Sequence, residues 1–136
     1  MPASFFDSNV LLYLASADRT KADRAEAIVG ESGGAISVQV LNEIANVARR
    51  KMQMSWPDAR AFLSLVRAVL EVHPVTSATH AKGLDLAERY GLSVYDAMIA
   101  ASALECGAAV LWSEDMQDGL MLEGRVRISN PFRTPG

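Results

Sequence analysis

The chain has 136 residues, half of them hydrophobic and 21% charged, with a net charge of −3 and a single cysteine. Such a length suits one domain, residues 1–136, with a core of its own, and the composition excludes a disordered chain or a disulfide framework. It also argues against a nucleic-acid binder built on a broadly basic surface, and with only His73, His80 and Cys106 to draw on there is no cluster with zinc spacing.

The first apolar run carries no basic leader and is interrupted early by Asp7, so no secretory signal is expected. No stretch is long enough to span a bilayer. Cys106 reads as a small core residue late in a helix, in keeping with a reducing cytoplasm. The expectation is a cytoplasmic protein that does not engage a membrane.

Residues 3–6 predict a first strand, ending at Asp7. From Asp7 or Ser8 a helix can run through Val10, Leu11, Leu12 and Leu14. A polar amphipathic helix follows over 18–30, with Ala22, Ala25, Ile28 and Val29 inward, and Gly33-Gly34 breaks the chain after it. Residues 35–38 predict a second strand. Ser37 is a suitable cap for a helix over 38–52, whose apolar stripe is Val40, Leu41, Ile44, Val47 and Ala48.

Ser55-Trp56-Pro57-Asp58 reads as a helix start, with a capping residue, an early proline and an acid three positions on; that helix runs to Val69. Residues 72–75 predict a third strand, and Pro74 puts it at an edge or at a strand end. Helices are expected over 77–90 and 94–106, stopped by Gly91 and Gly107. The unbroken apolar run 108–112 predicts a strand buried on both faces, and the alternating residues 125–128 a fifth strand nearer an edge. Strands alternating with helices predict an α/β fold. It would be a three-layer α/β/α sandwich around a central, mostly parallel sheet of about five strands. Ligands in such sheets bind beyond the carboxyl ends of the strands.

Four acids stand at strand ends or in helices beside apolar residues: Asp7, Glu43, Asp96 and Asp115. A carboxylate so close to a core carries a desolvation cost unless a cation or donor offsets it. Each has a plain structural reading as well. Asp7 could be a helix cap, with Ser8 and Asn9 able to take that role instead. Glu43 lies at the margin of its helix's apolar stripe and could be a solvated glutamate. Asp96 follows Ser93 at capping-box spacing, but among apolar neighbours that suggest a buried first turn. Asp115 belongs to a polar loop with Glu114 and Asp118; Asp115 is the favoured ligand there, Asp118 an auxiliary, and Ser113 could orient a carboxylate.

Together, four carboxylates can hold one or two Mg²⁺ or Mn²⁺ ions, oxygen-seeking cations. Two such ions roughly 3.5–4 Å apart activate a water and stabilise a leaving oxygen in phosphodiester cleavage. Cations bound by these acids would leave the rest of the chain slightly positive, so the acidic balance does not exclude a phosphodiester substrate. No Walker A loop, G-x-S-x-G elbow or H-E-x-x-H motif offers another chemistry.

The chain resembles a PIN domain, and specifically the VapC-type toxins of bacterial type II toxin–antitoxin pairs. The resemblance rests on Phe6-Asp7-Ser8-Asn9-Val10-Leu11, on Val40-Leu41-Asn42-Glu43 and on the run from Leu92 to Ser102. It continues through Leu111-Trp112-Ser113-Glu114-Asp115-Met116-Gln117-Asp118-Gly119 to Ile128-Ser129-Asn130-Pro131-Phe132. It implies a Mg²⁺- or Mn²⁺-dependent endoribonuclease in which Asp7, Glu43, Asp96 and Asp115 occupy the family's acidic positions. Asn9 matches a polar residue that supports the first aspartate, and Ser113 the serine or threonine before the last acid. Ser8 stands where the family usually has threonine, which keeps the hydroxyl. A homodimer and a cognate antitoxin are implied as well, with RNA as substrate.

Two further features bear on partners. Arg49, Arg50 and Lys51 end the helix carrying Glu43, where cations suit a helix C-terminus or could contact RNA phosphates. Trp56, Phe62, Leu63, Leu65 and Val66 could form an apolar face for a second copy or an antitoxin helix, or pack into the core. Two other functions compete. A phosphatase or phosphoacceptor domain would want a second aspartate two residues after Asp7, where Asn9 stands, or paired acids at the first strand with a lysine after the last. A non-catalytic RNA- or protein-binding module would have no need of an intact acidic quartet.

Overall fold

A computed structural model describes residues 3–31 and 33–133. Strand β1 (Ser4–Phe6) leads into helix α1 (Ser8–Leu12), and α2 (Arg19–Gly30) precedes β2 (Gly34–Ser37). Helices α3 (Val38–Arg50) and α4 (Trp56–Val69) lead to β3 (Leu70–His73). Helices α5 (Ser77–Tyr90) and α6 (Val94–Glu105) lead to β4 (Val110–Trp112). A short hairpin of β5 (Met121–Leu122) and β6 (Val126–Ser129) completes the described chain.

The strands form one sheet in the order β3-β2-β1-β4-β6-β5, with every pairing parallel except β5 on β6. Consecutive residues of a strand face opposite sides of a sheet. Phe5 and Phe6 are both buried, as are Ala35 and Ile36, so helices cover both faces. This is the expected α/β/α layering.

The helix boundaries follow from local chemistry. Ser37 accepts from the Val40 N–H, and Ser55 from the Asp58 N–H, as their positions predict. Gly91 ends α5 in the left-handed region at φ 70°. In α6 every residue from Ala97 to Leu104 is buried, so this helix runs through the core.

The structure departs from expectation at four points. Among the described residues the sheet has six strands: β5 is only two residues long, too short to leave an alternating signature. Strand β3 begins at Leu70 rather than residue 72 and stops at His73, because α4 runs straight into it and Pro74 has no N–H to continue the ladder. The first helix ends at Leu12 and tightens into a 3₁₀ turn over Tyr13–Ala15. The apolar face expected on α4 is divided. Val66 is in the core and Phe62 and Leu63 pack against it, while Trp56, Leu65 and Val69 are exposed.

Gly34 opens β2 between Phe6 and Leu70. A Cβ there would run into the Phe6 ring and stand 3.0 Å from Leu70 Cδ2. Gly34→Ala should therefore cost about 1–3 kcal/mol, read as a lower urea midpoint at unchanged slope. An unchanged midpoint would mean that β1 and β2 have room the packing does not show.

The topology also fixes where a ligand can approach. From β1 the chain steps outward to β2 and β3, then crosses to β4 on the other side of β1. The carboxyl ends of β1 and β4 thus flank the point where strand order reverses, the usual ligand crevice of a parallel sheet.

Candidate active site

Asp7 leaves β1 at that crevice, its backbone N–H donating to the Trp112 carbonyl at 2.9 Å. The side chain is only 3% exposed. Its Oδ1 accepts from the Ser8 N–H at 2.7 Å, so Asp7 does cap α1. Its Oδ2 accepts from Ser113 Oγ at 2.8 Å and from Asn9 Nδ2 at 3.2 Å. Oδ1 thus serves the cap, while Oδ2 is held by Ser113 and Asn9.

The neighbouring polar residues tie the acids together. Ser8 Oγ donates to Glu43 Oε1 at 2.8 Å and lies 3.4 Å from Asp7 Oδ1. Gln39 Nε2, one turn earlier on α3, donates to Glu43 Oε2 at 3.0 Å. Asn9 Nδ2 reaches Asp115 Oδ2 at 3.1 Å as well as Asp7, while Asn9 Oδ1 accepts from the Glu114 N–H at 3.1 Å. Asn9 therefore bridges the first and last acids. Ser113 orients Asp7 rather than its neighbour Asp115, and its Oγ also accepts from the Met116 N–H at 3.2 Å, which shapes the loop.

Asp96 comes from the first turn of α6. Ser93 accepts from the Asp96 N–H at 3.2 Å, but the reciprocal bond of a capping box, from the Ser93 N–H to the Asp96 carboxylate, is not made. Its turn is less buried than the sequence suggests: Val94 and Tyr95 are exposed and Asp96 is half-buried.

The electrostatics join Asp96 to the others. Burial is the main reason that the Asp7 pKa rises from 3.8 to about 6; the Ser113 and Ser8 hydrogen bonds oppose the rise, and the charges of Asp96 and Glu43 add to it. Burial likewise raises Asp96, opposed by Ser93 and reinforced by Glu43 and Asp115. Asp7 thus feels Asp96 and Glu43, and Asp96 feels Glu43 and Asp115. Among the described residues none of them pairs with lysine, arginine or histidine, whose ion pairs are made elsewhere.

The remaining candidates have other partners. Glu114 forms an ion pair with Lys21 and accepts from Tyr13 OH at 2.6 Å. Burial would raise its pKa, but these two contacts prevail and hold it below the usual range. The Lys21 ammonium also sits over the rings of Tyr13 and Phe132, fastening the loop to α2 and to the chain end. Asp118 accepts from the Asn130 N–H at 2.8 Å and from Arg133 Nη1 at 2.6 Å. Both acids thus serve as fasteners. The Tyr13–Lys21–Glu114 cluster was not foreseen, since residues more than ninety positions apart leave no local pattern.

Of the three expected cations, Arg49 donates to the Met54 carbonyl at 2.6 Å and stacks on Trp56 with 4.4 Å to the ring centroid. It closes the turn between α3 and α4, whereas Arg50 and Lys51 are exposed. A cleft of about 520 Å³ lined by Leu12, Tyr13, Val47 and Met52 opens beside Asn9.

An all-oxygen donor set lacking a cationic partner suits Mg²⁺ or Mn²⁺. Among the described residues, however, no three acids already stand in a common coordinating arrangement. The donors fit such an ion in kind, and a cation would relieve the repulsion that acts on Asp7 and Asp96.

The sequence matches the PIN domain family over residues 4–117. The chain belongs to the PIN domain family. Its fold is shared by solved toxin–antitoxin proteins. One chain of a toxin–antitoxin complex from Klebsiella pneumoniae superposes with a TM-score of 0.72 at 23% identity, over 96% of this chain and 99% of that one. VapBC2 of Rickettsia felis, bound to a promoter DNA fragment, gives 0.68 at 18% identity, over 93% and 97%. VapC20 of Mycobacterium tuberculosis, a toxin that cleaves the sarcin–ricin loop, gives 0.67 at 19% identity, over 79% and 86%. No curated protein matches the sequence. No helix among the described residues is long and apolar enough to cross a membrane.

Proposed function

We propose that this PIN domain is a metal-dependent endoribonuclease acting in the cytoplasm as the toxin of a toxin–antitoxin pair. The observation that carries this reading is the group of four acids beside the strand-order reversal, linked through Ser8 and Asn9 and by the charges that act on Asp7 and Asp96, none paired with a cationic side chain among the described residues. Asp7, Glu43, Asp96 and Asp115 would hold Mg²⁺ or Mn²⁺. When bound, the ion supplies Lewis-acid chemistry, making water a better nucleophile and offsetting charge on a phosphodiester.

The chain's own residues do the positioning. Ser113 and Asn9 aim one oxygen of Asp7, Ser8 and Gln39 aim Glu43, and Asn9 holds Asp115 in register with Asp7. Arg50 and Lys51 are available to receive RNA phosphates. The likeness to chains of toxin–antitoxin complexes supports a cognate antitoxin as partner, and the exposed Trp56, Leu65 and Val69 of α4 support a homodimer or antitoxin contact.

The assignment of roles within the last loop can be tested directly. With Mg²⁺ present, Asp115→Asn should lose RNA cleavage by at least about tenfold, as even partners of metal ligands do when removed. Glu114→Gln, which keeps one acceptor oxygen for Lys21 and can turn its amide N–H toward the Tyr13 hydroxyl oxygen, should retain most of it. The opposite ranking in a gel-based cleavage assay would transfer the ligand role to Glu114.

A further inference from the structure

Next to Glu43 lies a surface that the acids alone do not explain. Helix α3 carries Gln39, Asn42, Asn46 and Arg50 at spacings of three, four and four residues, which places them along one face. Across from them Tyr95, immediately before Asp96 in the first turn of α6, is 67% exposed. Tyr95, Gln39, Asn42, Asn46 and Glu43 line a cleft of about 380 Å³. Glu43 thus belongs both to this cleft and to the acidic set.

The chemistry of that cleft is specific. An aromatic ring presented to solvent is a stacking platform for an unpaired base, and stacking tolerates any base because each has a π-face. Carboxamides carry a donor and an acceptor side by side, which matches the edges of nucleobases. Asn42 and Asn46 are exposed, whereas the Gln39 amide is engaged in holding Glu43. Arg50 is exposed one turn beyond Asn46, where a backbone phosphate leaving the cleft would meet a cation.

Resting on the ribonuclease reading above, we propose that this cleft is a nucleotide subsite for single-stranded RNA. The base next to the scissile phosphate stacks on Tyr95, its edge bonds to Asn42 and Asn46, and the following phosphate meets Arg50. The acids cut, and this cleft sets which unpaired nucleotide lies beside the cut.

The test is binding of dye-labelled oligo(U), oligo(A) and oligo(C) to the full chain, read by fluorescence anisotropy with Ca²⁺ in place of Mg²⁺. Tyr95→Ala should weaken binding roughly 5- to 100-fold, while Tyr95→Phe, which keeps the ring, should stay near wild type. Asn46→Ala should change the ratio of affinities among the three homopolymers. Circular dichroism of each variant checks the fold, and the exposed Asn46 gives a second reading if Tyr95→Ala misfolds. Wild-type affinity in both Tyr95→Ala and Asn46→Ala would overturn the subsite while leaving the nuclease reading intact. No RNA binding by the wild-type chain would overturn both. Exposed Val94 adjoins Tyr95; if Tyr95→Ala altered the sedimentation of the protein but not its RNA affinity, the face would be a contact between copies and the subsite would be overturned.

Discussion

Asp7→Asn is expected to remove RNA cleavage almost entirely, by at least about a hundredfold, since losing even an outer partner of a metal ligand costs about 10- to 100-fold. The substitution is close to isosteric. An asparagine oxygen can still accept from the Ser8 N–H and cap α1, as Oδ1 does now. What is lost is the negative charge and the second acceptor. An amide nitrogen in the place of Oδ2 would face Ser113 Oγ, which can rotate to accept, and Asn9 Nδ2, which cannot. The variant should fold, as judged by circular dichroism, and yet fail to cut. A rate within tenfold of wild type would remove Asp7 from the reaction.

The same variant should be more stable than the wild-type chain when no divalent metal is present, and the gain should depend on pH. An exposed aspartate in the unfolded chain ionises near 3.8, but buried Asp7 ionises near 6. Well below pH 3.8 the carboxyl is protonated in both states and imposes no penalty. As pH rises through 6 the unfolded chain has already lost the proton and the folded chain must lose it against burial and the charges of Asp96 and Glu43. The cost is fully developed above that point, and the gap between the two values corresponds to roughly 3 kcal/mol.

The uncharged amide of the variant would carry no such cost. The stability difference between Asp7→Asn and wild type should therefore grow from about half a kcal/mol at pH 4 to roughly 2–3 kcal/mol at pH 7, less whatever the Asn9 contact loses. The difference is the quantity to follow, because other carboxylates slope the opposite way. Glu114, Asp118 and Glu123 are held below their usual range by Lys21, Arg133, Lys82 and backbone donors, so their contributions are lost as pH falls. Mg²⁺ or Mn²⁺ should raise the melting temperature of the wild type more than that of the variant, since a ligand of the folded state stabilises by mass action. A difference that stays flat from pH 4 to 7 in urea titrations would mean that Asp7 is not desolvated as its burial indicates.

Much of the frame was legible in the sequence, and particular residues show why. Phe5 and Phe6 before Asp7 identify the first strand, Gly91 stops α5, and Ser37, Ser55 and Ser93 cap the helices they precede. These signals are local. The β5 strand escaped because two residues between Gly119 and Gly124, with Glu123 itself at φ 51°, carry turn chemistry and no period. The start of β3 was misplaced because Leu70 serves at once as the last cap of α4 and the first residue of the strand.

The site divides along the same line. The identity of the four candidate acids could be read from carboxylates beside apolar runs. Asn9, Ser8 and Ser113 could be named as supports, but not what they join: that Asn9 links Asp7 to Asp115, that Ser8 links Asp7 to Glu43, and that Lys21 takes Glu114 out of competition are facts about distance between remote parts of the chain. The sequence leaves Arg49 between a helix-end cation and a phosphate contact, and only the fold shows it engaged with Met54 and Trp56.

The central claim, that four acids assembled at the reversal of strand order cut RNA with a divalent metal, is best tested on total cellular RNA. Purified, antitoxin-free protein is incubated with Mg²⁺, with Mn²⁺ and with EDTA, alongside Asp7→Asn, and the fragment ends are mapped. Discrete fragments that require both the metal and Asp7 are the predicted result. Folded protein that cuts no RNA with either ion, or that cuts as well in EDTA, would contradict it.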